Sequence, residues 1–138
     1  MKKFIFILLL FIPLILYGQL IVVPDSINWH NKKNVELYVK STYPTYHKQI
    51  LKTIQIESSF NPFAKNKNST ACGFMQVTKT CCKDLGYSYE AVRKYPFLNI
   101  HVGRKYLMKC LRKANFDFNL AYEYYNKGLY FDSFVIKE

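Results

Sequence analysis

The sequence is poor in acid. Asp and Glu number 9 against 20 Lys and Arg, a formal net charge of +11 at pH 7, so chemistry that needs several clustered carboxylates has few to draw on. Metal ligands are no better supplied. His30, His47 and His101 each stand alone without ligand spacing, and Cys72, Cys81, Cys82 and Cys110 fit neither a zinc site nor a redox pair, so no metal and no cofactor is expected. Five glycines and five prolines form no linker, and neither an internal repeat nor a low-complexity tract is present, which leaves one domain as the expectation. Nor is there an apolar run of the roughly 20 residues a membrane span needs. The longest, Phe4 to Leu16, has 13 residues and contains Pro13.

What is present begins with that run. Preceded by basic Met1-Lys2-Lys3, it reads as a secretory signal peptide over residues 1–18, with small Gly18 before the cleavage point and no cysteine after it for a lipid anchor. Residues 19–138 then form the domain, 120 residues of formal charge about +9, enough for one core. Export to the periplasm or cell envelope argues against nucleic acid as partner, and a cationic exported chain is drawn to anionic polymer such as the cell wall. Aromatics are plentiful at 17%, with 12 Tyr and 11 Phe; tyrosine buries a ring while keeping a polar hydroxyl.

Periodicity then sets out helices. The segment from Leu20 to Trp29, broken by Pro24, reads as an extended leader. Asn34 is expected to cap a short helix through Val39, ended by Tyr43-Pro44, and Thr45 to cap the next. Thr78 opens a helix through Cys82 and Leu85 that stops at Gly86. Asn99 is expected to open another with the stripe Ile100, Gly103, Leu107 and Cys110 or Leu111, where Gly103 implies close approach of a neighbouring helix. Asp117 caps the last, in which Phe118, Ala121, Tyr122 and Tyr125 share a face, and Gly128 ends it. In an exported chain the four cysteines favour disulfides. Bonding between adjacent Cys81 and Cys82 is strained, which leaves Cys110 joined to either of them and Cys72 to the other.

The stretch Ile54 to Gln76 organises the rest. Tyr46, Ile50, Leu51 and Ile54 form a helical stripe that continues onto Glu57, so that carboxylate ends an apolar face and is partly desolvated. Burial raises its proton affinity, the state a general acid needs near neutral pH. Phe60-Asn61-Pro62 stops the helix, and a polar loop leads into Gly73-Phe74-Met75-Gln76. Glu57-Ser58 with Phe60-Asn61-Pro62, then Gly73-Phe74-Met75-Gln76-Val77, Asn99-Ile100 with Gly103 and Tyr106-Leu107, and Ala121 with Tyr125-Asn126-Lys127-Gly128 resemble, in that order, the soluble lytic transglycosylase (SLT) family of peptidoglycan-cleaving enzymes.

That resemblance implies a mainly α, lysozyme-like single domain with a sugar-binding cleft, and Glu57 as the one catalytic carboxylate. Ordinary glycosidases use two. The family implies instead that Glu57 protonates the oxygen between N-acetylmuramic acid and N-acetylglucosamine and then acts as base on the muramic C6 hydroxyl, yielding a 1,6-anhydro end. Met75 and Gln76 match residues lining the saccharide site, and Tyr125 matches the motif tyrosine that helps orient the acid. Ser58, Tyr124 and Asn126 complete the set expected by resemblance to bind substrate. Tyr124 where alanine is usual, Phe74 where leucine is, Lys79 in place of a proline and Asn66 near a cleft serine are departures that bear on substrate-chain preference. The implied partner is peptidoglycan, cut by a monomer; small size without a separate wall-binding domain points, by analogy, to an enzyme serving an envelope-spanning secretion or conjugation apparatus. The alternatives are a muramidase using water on the same bond, as goose-type lysozymes do, and a non-catalytic cationic wall-binding protein.

Overall fold

The computed structural model describes residues 26–129; the expected signal peptide and residues 20–25 of the leader lie outside them. The described chain is mainly helical. Its helices are α1 (Lys32–Thr42), α2 (His47–Ser58), α3 (Lys79–Leu85), α4 (Tyr89–Lys94), α5 (Pro96–Lys113) and α6 (Phe118–Lys127). Among the described residues β-pairing is limited to isolated bridges of Cys72 with Lys65 and with Val77.

Helix α5 is the axis of the molecule. Its stripe of Ile100, Gly103, Leu107, Cys110 and Leu111 is buried, and α3, α4 and α6 pack on it, while α1 packs on α2. Val35, Val39, Ile50, Ile54, Phe74, Val92 and Leu107 are fully buried in one continuous core. Each such side chain removed from water contributes about 1.5–3 kcal/mol. Trp29 closes the core at the N-terminal side, its ring edge-on to Tyr38 at 5.0 Å and to Phe74 at 6.2 Å.

The helix starts divide into those set by a local cap and those set by something else. Thr78 and Asp117 cap α3 and α6 as expected, accepting from the amides of Cys81 and Leu120. Helix α1 begins earlier than expected, because Asn31 rather than Asn34 accepts from the amides of Lys33 and Asn34. Helix α2 begins after Tyr46, a left-handed residue (φ 63°) without a side-chain cap, so the expected role of Thr45 is corrected. The short α4, not anticipated, is capped by Ser88. Helix α5 starts at Pro96, whose fixed φ suits a first turn. Asn99 therefore lies inside it and is buried, free to act elsewhere.

Candidate active site

Glu57 occupies the last turn of α2, where the apolar face formed by Ile50 and Ile54 runs out into a half-buried position. The chain reverses at once. Ser59 caps the helix in the left-handed region (φ 50°) and Phe60 follows at φ 62°, which turns residues 61–64 back beside the helix end. Burial pushes the Glu57 carboxyl above its ordinary 4.5, and a hydrogen bond from Tyr122 pulls it down by less. That bond is direct: the Tyr122 hydroxyl donates to Glu57 Oε1 at 2.9 Å, linking α2 to α6.

The turn 73–76 is fixed by α5. Gly73 adopts φ +74°, and a Cβ there would overlap the Asn99 carboxamide. That carboxamide accepts from the Met75 amide at 2.9 Å and donates to the Cys72 carbonyl at 2.8 Å, satisfying both strands of the turn with one buried side chain. Beneath the turn lies Gly103, where a Cβ would sit 2.5 Å from Met75 Cβ. The close approach foreseen at Gly103 is thus to the Met75 side chain rather than to another helix.

The sequence-derived candidates separate by what their side chains can reach. Met75 is fully buried, and its carbonyl accepts from the Tyr125 hydroxyl at 2.6 Å. Gln76, at φ 49°, donates its side-chain amide to the carbonyls of Ala64 at 3.3 Å and Gly73 at 3.1 Å, bracing the turn. The Ser58 hydroxyl donates to the Ile54 carbonyl within α2. Tyr124 is 5% exposed and points inward, under the Lys113 ammonium at 4.4 Å. Asn126 is exposed and meets Gln76 and Tyr125 at a cavity of about 250 Å³, also lined by Thr78, Asp84 and Tyr106. Glu57 does not line that cavity. The residue in contact with Glu57 is Tyr122, which the sequence placed on the right face of α6 without a role.

Around these hydroxyls the wall is aromatic. Phe118, Tyr122 and Tyr125 stack along α6, with centroids 6.3 and 6.4 Å apart and planes 28° and 10° from parallel, and Tyr106 of α5 tilts against Tyr125 at 5.2 Å. Burial raises the phenols of Tyr122 and Tyr125 well above the ordinary 10.0, with the Glu57 carboxylate adding to the rise. Both are neutral donors throughout the physiological range.

The cysteines are thiols in this structure, so the bridge expected at Cys110 is not formed in it. No cluster of three or more potential metal ligands occurs among the described residues. Compared with known families, residues 38–138 match the family described as Transglycosylase SLT domain. Comparisons with curated proteins and with solved structures return no match.

Proposed function

Because the chain belongs to the transglycosylase SLT domain family, a lysozyme-like family whose substrate is peptidoglycan, we propose that it is a lytic transglycosylase that forms the 1,6-anhydromuramic product with Glu57 as its acid and base. The observation that carries this reading is the state of Glu57: one half-buried carboxyl, raised by burial and held by a neutral phenol, with no other carboxylate of the described residues acting on it. A protonated Glu57 gives its proton to the glycosidic oxygen as the bond to muramic C1 breaks. The resulting carboxylate then takes the proton of the muramic C6 hydroxyl, whose oxygen closes on C1. One carboxyl completes the cycle, and water is not consumed.

On this reading the glycan lies along Gln76 and Asn126, which meet at the cavity, with Gln76 bracing the buried turn 73–76 and Tyr125 tying it to α6. Export by the N-terminal segment brings the enzyme to the envelope, and its basic surface favours the anionic wall. The use proposed for this activity is local opening of that wall for an envelope-spanning apparatus.

Mass spectrometry of muropeptides after digestion tests the reaction. Anhydro ends are expected; reducing ends, heavier by one water, would assign a muramidase, and uncut glycan a wall-binding protein. Glu57→Gln should lower cleavage at least by the roughly 10²–10⁴-fold that general acid–base catalysis contributes, and a variant cutting at the wild-type rate would remove Glu57 from the mechanism.

A further inference from the structure

We propose that Tyr122, three residues before the motif tyrosine, is the positioning residue for the Glu57 carboxyl, while Tyr125 holds the turn 73–76; this rests on the reading of Glu57 as the acid. A phenol has one proton to donate. That of Tyr125 goes to the Met75 carbonyl at 2.6 Å, and that of Tyr122 goes to Glu57 Oε1 at 2.9 Å. The two tyrosines therefore have separate partners, one on the acid and the other on the turn.

The Tyr122 ring is held for this. It stacks between Phe118 and Tyr125 along α6, and Phe118 is covered by the ammonium of Lys52 at 5.0 Å. Lys52 lies on α2, so the ring stack joins the helix of the acid to the helix of its partner at a second point. With Oε1 accepting from Tyr122, the remaining oxygen of Glu57 is the one that carries the proton to the glycosidic bond and receives the next from the C6 hydroxyl. The same donation stabilises the carboxylate that exists between those two transfers, since a hydrogen bond to the charged form favours it. Burial alone would leave Glu57 a reluctant proton donor, and Tyr122 opposes that effect.

The experiment is a carboxyl-carbon NMR titration of glutamate-labelled protein, with the Glu57 signal assigned by its loss in Glu57→Gln, alongside pH profiles of glycan cleavage. Tyr122→Phe keeps the ring stack and removes the donor. The expected result is a rise of the Glu57 midpoint on the order of one pH unit. The alkaline limb of kcat should move up with it, and kcat should fall by about tenfold with little change in KM. Tyr125→Phe should leave the Glu57 midpoint where it is. An unmoved midpoint in Tyr122→Phe overturns the proposal whatever happens to the rate, as does an equal rise in Tyr125→Phe. If wild-type protein cuts no glycan, the reading of its activity fails, yet the titration still decides which tyrosine holds Glu57.

Discussion

Glu57 is held in a state that costs the fold something. Its folded pKa is raised above the ordinary 4.5, so the unfolded chain ionises first, and the native state loses stability as pH rises from about 4.5 through the folded value. Glu57→Gln keeps the shape and an oxygen that accepts from Tyr122, but has no charge to desolvate. The variant is therefore expected to melt at a higher temperature than wild type at pH 7 and at the same temperature near pH 3, where the wild-type carboxyl is neutral as well. Equal melting temperatures at pH 7 would show that Glu57 is not strained by burial. Its position was legible because one helical period extends from Ile54 to Glu57. The partner was not: Tyr122 and Tyr125 share a face by periodicity, and which hydroxyl meets the acid depends on the rotation of α6 against α2, which no local pattern encodes. Asn99 was misread for a related reason. An asparagine ahead of an apolar stripe looks like a cap, whereas Pro96 had already opened the helix and freed Asn99 to hold the turn.

Successive residues of a helix point about 100° apart, and on α3 this sends Cys81 and Cys82 to different elements. Cys110 of α5 is pushed up to about 12 by burial with Cys81 as its next cause, and Cys82 up to about 11 by burial with Cys72 next. Sequence left two pairings open; of the two, Cys81–Cys110 with Cys72–Cys82 is the expected one, because Cys81 acts on Cys110 and Cys72 on Cys82. Exposure of the protein to an excess of a small-molecule disulfide should form those two bridges, each transferring two hydrogens to the oxidant, and peptide mapping should find both. Recovery of Cys72–Cys81 or Cys82–Cys110 would show that α3 is turned otherwise. With thiols this far above 9.0, thiolate is scarce at neutral pH, so closure should be slow and should quicken as pH rises. Elements with strong signals at both ends, α3 and α6 with their capping Thr78 and Asp117 and closing glycines, were read correctly. Helix α4 escaped because a single turn and a half carries too little periodicity to register.

Across the whole molecule, α1, the link between α3 and α4, and α5 are joined by one imidazole. His101 lies between the hydroxyls of Tyr43 at Nδ1 and Tyr87 at Nε2, both 3.2 Å away. Burial, then Lys105 and Arg104, lower its pKa below 6.5, so the native state prefers the neutral ring. The unfolded chain takes up the proton first, and stability falls as pH drops from about 6.5 through the folded value. Between pH 7 and pH 5 His101 should lower the denaturant midpoint, opposite in sign to Glu57, so the midpoint of His101→Gln should fall less or rise more than that of wild type over this range; an identical pH dependence in the two proteins would remove His101 as a source. The separate helices followed from stripes and caps and the mainly helical class from the family resemblance, whereas this three-way junction joins residues too far apart in sequence for any stripe to reveal.

The bonds that complete the cleft share one property, the length of chain they span. Asn99 secures the turn from 24 and 27 residues away, and Tyr122 reaches Glu57 across 65. The segment bearing the acid is thus made long before the groups that aim it. Closing loops of that length costs conformational entropy that the rest of the helical core must offset. Until α6 docks on α5 and brings Tyr122 to Glu57, the carboxylate proposed as the acid lacks the hydroxyl that holds it.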